Sequence, residues 1–425
     1  MNEACHKMYQ LIERLYPICR SITGNGVRQT LKIVNEYIPL EVMEVATGTQ
    51  VFDWEVPKEW NINDAYVKNS KGERVVDFRL TNLSVVSYST PVRKTVSLEE
   101  LKKHIFTLPE HPDWIPYKTS YYKEDWGFCL AHKELVRLAD EEYEVCIDAS
   151  LENGHLTYGE YYVKGRIEDE VLISCHICHP SLCNDNLSSI SLCTRLAKEM
   201  GSKKSRYSYR FLFVPGTIGA ITWLAINEKR TPLIKHGLVL ACVGDSGKIT
   251  YKKSRRGDAE IDLAAENVLK QANKPYSIID FYPFGYDERQ YCSPGFNLPV
   301  GCFMRTPHSQ YPEYHTSADN ISLIKTESLD DSLANVTAIL NVLEENRKYI
   351  NKNPKCEPQL GKRKIYPEIG GNREMAVDQL ALLWVLNMSD GEHSLLDIAL
   401  KAEYPFEKIK NAAKLLSEKR LLEGI

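Results

Sequence analysis

No apolar run in the 425 residues approaches the roughly 20 that a membrane-spanning helix needs, so no membrane partner is expected. The first residues, MNEACHKMYQLIERL, lack the basic start and apolar core of an export signal. Strong charge of either sign is lacking too. A formal net charge of -4 gives no reason to expect nucleic acid or an acidic membrane as the main partner. Internal repeats and low-complexity tracts are absent. Cysteine, by contrast, is plentiful at 12 residues, but scattered. Cys19, Cys129, Cys146 and Cys242 sit inside apolar runs, where reduced thiols behave as small hydrophobes. Together these features point to a reduced, cytoplasmic protein. The length suggests about two or three domains.

The pattern changes along the chain. Residues 5–19 and 27–37 read as helices and 40–45 as a strand. Residues 47–125 carry short β-like pieces (DAYVKN, ERVVDF, LSVVSY) and then many prolines and aromatics, and read as an inserted, mainly β module. Its tyrosines and tryptophans are expected to form a small core rather than a binding cage. Tyr143–Ala149 and Leu156–Val163 look like a hairpin around Glu152-Asn153-Gly154. Strands at 171–175, 208–214, 237–243 and 298–304 then alternate with helices at 187–200, 218–228, 258–272 and 327–347. This alternation implies an α/β core, 1–46 plus 126–348, with a mostly parallel sheet covered on both faces. In such sheets the active site lies at the carboxyl ends of the strands. Residues 349–425 read as a linker followed by three helical pieces that resemble a winged helix. Lys408, Lys410, Lys414, Lys419 and Arg420 on the third piece are offset by Glu407, Glu418 and Glu423, which favours protein contact or packing over DNA.

The chemically suggestive stretch is VLISCHICHPSLCNDNLSS (171–189), an apolar strand ending at His176, Cys178 and His179, with Asp185 at the start of a helix. Cys175-His176-Ile177-Cys178-His179 matches the haem-attachment pattern, but that chemistry needs export. A thioredoxin-like CxxC belongs at a helix start, whereas a strand precedes this one. A zinc ribbon needs a second CxxC, which is missing. What is left is a metal hydrolase site, or a capping aspartate beside ordinary loop histidines. Asp245 at a later strand end, Asp287-Glu288-Arg289-Gln290, and His315 in YPEYHTSADN shift the balance toward metal. Histidine, carboxylate, carboxylate, histidine is the ligand order of a co-catalytic zinc exopeptidase.

With these segments, and with LYPICRSITGNGVRQTL (15–31), WGFCLAHKEL (126–135), LTYGEYYVKG (156–165), PGTIGAI (215–221) and YDERQYCSPGFNLPV (286–300), the chain resembles a bacterial family of aminopeptidase-like proteins. That family has an inserted domain and a C-terminal winged helix, and is distantly similar to zinc exopeptidases of leucyl-aminopeptidase type. The resemblance implies zinc, one or two ions, held by His176, Asp185, Asp245 and His315, with His179 as a replacement ligand. It also implies a small peptide or aminoacyl substrate cleaved at its N-terminal amino group. The parent enzymes carry a Glu-Glu pair, base and ligand, where this chain has Gly216 and Thr217, and an aspartate where it has Cys178. Glu288 or Glu313 is therefore the expected base, with Arg289 and Tyr291 as substrate contacts. The alternatives are a metal-binding pseudo-enzyme that recognises a peptide, aminoacyl or modified-sugar ligand, or a regulator acting through its winged helix. Self-association is left open.

Overall fold

The computed structural model describes residues 3–121, 123–363, 365 and 373–425. The chain divides into two compact units, 1–255 with 279–333, and 256–278 with 334–425. The first unit carries seven strands of a mixed sheet: β1 (Glu41–Ala46), β2 (His155–Val163), β3 (Glu170–His176), β4 (Ser208–Val214), β5 (Ile234–Leu240), β6 (Ile249–Lys252) and β7 (Val300–Met304). They lie in the order β1-β2-β4-β3-β5-β7-β6. β4, β3, β5 and β7 run parallel, and the flanking strands pair antiparallel.

Every residue of β3 and β4 is buried, which explains why both read as continuous apolar runs rather than alternating ones. Leu172, Leu212 and Val214 join Ile218, Ala220 and Trp223 of the helix Ile218–Ile226 in one cluster. Cys175, pointing to the other face, meets Cys193 of the helix Ser188–Gly201. Register sets His176 beside Val214 and Cys175 beside Leu240, so the carboxyl ends of β3, β4 and β5 come level. At the opposite end Arg210 donates to both oxygens of Glu170 at 2.7 Å, and Trp223 Nε1 donates to Glu160 at 2.7 Å.

The inserted segment forms an antiparallel sheet in the order Arg74–Asp77, Glu59–Lys68, Glu142–Glu152, Val92–Ser97. This differs from the expected hairpin. Glu142–Glu152 pairs with the inserted strands, and only after Asn153-Gly154 does the chain enter β2. Alternation along a strand identifies the strand but not its neighbour. Ala65, Val67, Val76, Tyr143, Val145 and Ile147 give this sheet its own core. Trp60 and Tyr88 instead join the cluster around Leu156 and Ile218.

In the second unit, helices Arg373–Met388, Leu395–Ala402 and Phe406–Glu418 accompany a three-stranded sheet of Asp390–Ser394, Lys348–Asn351 and Leu422–Gly424, the winged-helix arrangement. Ser394 caps the middle helix: its Oγ accepts from Asp397 N at 3.2 Å while its own N–H donates to Asp397 Oδ2 at 2.8 Å. Lys410 of the third helix is bound to Glu407 at 2.7 Å and also to Glu345. Part of the expected linker lies outside the described residues. Among the described residues no helix is long and apolar enough to cross a membrane.

Candidate metal centre

The segment after β3 is not a plain helix start. Asp185 (φ -109°, ψ 79°) and Asn186 (φ -146°, ψ 24°) break the helical geometry between Cys183 and Leu187. Both flanking asparagines fasten this turn. Asn184 Oδ1 accepts from Gly244 N at 2.9 Å, and Asn186 Oδ1 accepts from Cys242 N at 3.2 Å. Asn186 Nδ2 donates to the carbonyls of His176 and Leu240, both at 3.3 Å. The turn is thereby tied to the ends of β3 and β5. Asp319 completes the support, its two oxygens accepting from Asn184 N at 2.6 Å and Asp185 N at 3.0 Å. Burial pushes the Asp319 carboxyl up to about 7, against the pull of those two amides.

Asp185, fully buried, is turned into a cluster of imidazoles. Its Oδ1 is 2.8 Å from His176 Nε2, and its Oδ2 is 3.0 Å from His315 Nε2 and 3.3 Å from His179 Nδ1. Burial alone would raise the Asp185 carboxyl, but the charges and hydrogen bonds of His179 and His176 hold it well below its ordinary range. Burial would likewise lower His179, but Asp185 and then Cys178 raise it well above the usual value. Burial lowers His176 and His315, against the pull of Asp185 on each. Each ring also has its own tyrosine: Tyr286 stacks on His176 at 5.1 Å, Tyr314 on His315 at 3.9 Å, and Tyr117 meets His179 edge-on at 5.2 Å.

Three of these residues offer donor atoms within 4.8 Å of one another, His176, His179 and Asp185. His315 reaches the same carboxylate from the loop after β7. Imidazole nitrogen with carboxylate oxygen is a donor set that suits zinc, and the residues fit such an ion. The inserted segment holds His315 in place. Tyr117 N donates to His315 O at 2.8 Å, and Ser317 N donates to Ile115 O at 2.8 Å. His315 itself sits at φ 55°, in the left-handed region that non-glycine residues rarely adopt. The aromatic residues of the insertion therefore serve two ends, Trp60 and Tyr88 in the core and Tyr117 at the site.

Other residues named from the sequence fall elsewhere. Asp245 closes its own loop, accepting from Gly247 N and Thr306 Oγ1 at 2.6 Å, Asn184 Nδ2 at 3.0 Å and Thr306 N at 3.2 Å. β5 ends at Leu240, earlier than expected, and Cys242 (φ 49°) turns the chain there. It is this thiol, 2.9 Å from Tyr286 Oη, that lies close to Asp185; burial and then the Asp185 charge push it up. Glu288 is bound to Lys252 at 2.7 Å, both fully buried, so it is an ion-pair residue. Glu313 contributes its carbonyl to Thr316 Oγ1 at 2.8 Å, and its carboxylate makes no hydrogen bond among the described residues. Tyr291 is buried in the core with its hydroxyl 3.0 Å from Ser174 Oγ. Half-buried Arg289 lies 5.9 Å from the Phe284 ring. Sequence reasoning missed Asp319, inside the quoted YPEYHTSADN segment, and gave Asp287, immediately before Glu288, no role of its own.

Residues 9–346 match the family described as "Domain of unknown function (DUF4910)", and residues 347–424 match a winged helix-turn-helix family. A Clostridium acetobutylicum protein named for polysaccharide biosynthesis and an aminopeptidase-like domain is 55% identical over 422 residues, covering 99% of this chain and 97% of that protein. A crystal structure of a C. acetobutylicum chain designated a peptidase superposes with TM-score 0.94 at 53% identity, covering 100% and 97% of the two chains. A zinc aminopeptidase from Bacillus subtilis shares the fold, with TM-score 0.59 at 13% identity over 80% of this chain and 95% of that one. The chain belongs to the DUF4910 family, with a zinc-exopeptidase-like α/β core, an aminopeptidase-like domain, followed by a C-terminal winged helix.

Proposed function

We propose that the chain is a zinc-dependent hydrolase of aminopeptidase type that cleaves an amide bond at an N-terminal amino group. The observation that carries this reading is Asp185, with imidazoles on both of its oxygens at the carboxyl ends of a parallel sheet. His176, His179, Asp185 and His315 would hold the metal, as one or two ions. Bound there, zinc supplies Lewis-acid polarisation of the scissile carbonyl and a lowered pKa for water. The chain's own residues do the rest. Asp319, Asn184 and Asn186 preset the Asp185 turn, and Tyr286, Tyr314 and Tyr117 fix the rings. Phe284, His308 and Tyr314 form a run of ring contacts that ends at His315, against which a substrate side chain or ring would pack. The substrate we assign is a small peptide or aminoacyl amide; the relative's name adds aminoacylated sugars to the classes worth testing.

The test is metal-dependent release of p-nitroaniline from a panel of aminoacyl p-nitroanilides, with His315→Ala as control. Turnover that needs zinc and disappears in the variant supports the reading. No turnover with zinc, manganese or cobalt across the panel overturns it. Gly216 favours a second reading, a pseudo-enzyme that binds such ligands uncleaved; activity appearing only in Gly216→Glu would support it. The cytoplasm is the compartment we assign, in keeping with the free thiols of the 11 cysteines whose side chains are described. For the winged helix we assign protein contact, since Lys410 is already neutralised; salt-dependent binding of the full chain to duplex DNA would overturn that.

A further inference from the structure

The hydrolase reading needs a proton acceptor beside the imidazole cluster, and the other buried carboxylates around it are engaged. Asp185 is held by histidines, Asp319 by two amides, Asp245 by four donors and Glu288 by Lys252. Asp287 is different. It is 1% exposed, and among the described residues neither of its oxygens has a hydrogen-bond partner. It stands at the N-cap of the short helix Glu288–Tyr291, yet its side chain makes no capping bond, so the ordinary structural role is missing. A buried carboxylate with no donor is costly.

The position of Asp287 offers it a use. A Cβ built on Gly216 would lie 3.0 Å from His176 Cβ and 3.5 and 3.6 Å from the two Asp287 oxygens. The glycine thus leaves a gap slightly tighter than one methyl between the Cβ of a metal-ligand candidate and an unpartnered carboxylate. Any larger side chain there would close it. The charged groups facing Asp287 are Glu288 and Arg289 on its own turn and His179 from the loop after β3; the Cys175, Cys302 and Tyr291 side chains also lie within its field.

Resting on the hydrolase reading, we propose that Asp287 is the general base of this site, reaching the reacting water across Gly216. Asp287 takes a proton from the attacking water as its oxygen bonds to the amide carbon. It then gives that proton to the departing nitrogen as the C–N bond breaks, leaving a carboxylic acid and an amine. Burial and then Glu288 push the Asp287 carboxyl up to about 8, which places it close to neutral working pH.

Asp287→Asn in the full chain tests this with two kinds of readout. With zinc loaded, kcat on the aminoacyl p-nitroanilides should fall by about 10²–10⁴-fold, with KM and zinc per chain unchanged. Without metal, the variant should melt higher than wild type. That advantage should grow as pH rises from about 4 to about 8, because the unfolded wild-type carboxyl ionises in this window while the folded one still holds its proton. If the asparagine variant does not fold, Gly216→Ala, which narrows the gap, should lower kcat instead. Turnover that persists in Asp287→Asn overturns this assignment and leaves the hydrolase reading standing. A variant that loses zinc or melts lower shows a structural role and also overturns it. Inactive wild type overturns the hydrolase reading and Asp287's role with it.

Discussion

Asp319 lies outside the imidazole cluster but holds the turn that presents Asp185 to it, so its removal should be felt mainly as lost metal affinity. Asp319→Asn keeps the side-chain size and one acceptor oxygen. The second oxygen becomes an NH2 facing a backbone N–H, either that of Asn184, now bonded at 2.6 Å, or that of Asp185, at 3.0 Å. One fully buried donor is then left unpaired, at a cost of about 1–3 kcal/mol. The turn can recover part of this by rotating away from the remaining acceptor, which moves the Asp185 carboxylate relative to His176 and His315. Loss of a supporting hydrogen bond of this kind typically lowers metal affinity by about 10–100-fold. Competition with a chromophoric chelator gives the zinc Kd, and urea unfolding of the metal-free protein gives the stability change. Zinc binding by Asp319→Asn within about twofold of wild type, at a stability loss of about 1–3 kcal/mol, would refute the idea that Asp319 sets the ligand. It would then be an ordinary buried hydrogen-bonding residue.

Two further outcomes separate structural carboxylates from chemical ones. Arg210→Ala leaves buried Glu170, among the described residues, with only Arg230 at 3.2 Å as a charge partner, and should destabilise the protein by about 3–5 kcal/mol in urea without changing zinc affinity; an unchanged unfolding midpoint would sink this. Glu288→Gln leaves the Lys252 ammonium buried with its charge partner gone, and should cost a similar 3–5 kcal/mol or so in the same assay. The folded fraction should keep its kcat; a large loss of kcat at full zinc occupancy would return Glu288 to the chemistry.

Much of this arrangement is legible in the amino-acid sequence. A buried strand that ends in His176 and is followed by Asn-Asp-Asn at a helix start marks the candidate metal turn, and strand–helix alternation implies the parallel sheet that lines up its carboxyl ends. The winged helix is visible from Ser394 and its spacing. What is not legible has local physical causes. Asp287 and Glu288 are adjacent on one helical turn, about 100° apart around its axis. Only packing decides that Glu288 turns to Lys252 while Asp287 faces Gly216. Asp245 looks like a strand-end ligand because the apolar run of β5 continues to Val243, past the point where the strand stops; the left-handed turn at Cys242 puts the thiol near Asp185 and leaves Asp245 to cap its loop. Tyr117 is indistinguishable by pattern from the core aromatics of the insertion, because its role depends on Pro116 bridging to Thr316, some 200 residues away along the chain.

The central claim is that His176, His179, Asp185 and His315 form a metal-binding group. Metal content per chain after zinc-replete purification, together with an anomalous difference map at the zinc edge, tests it most directly. The account predicts at least one zinc per chain and a peak bonded to the Asp185 carboxylate and its imidazoles. A zinc-free protein, or a peak bonded to other side chains, would contradict it.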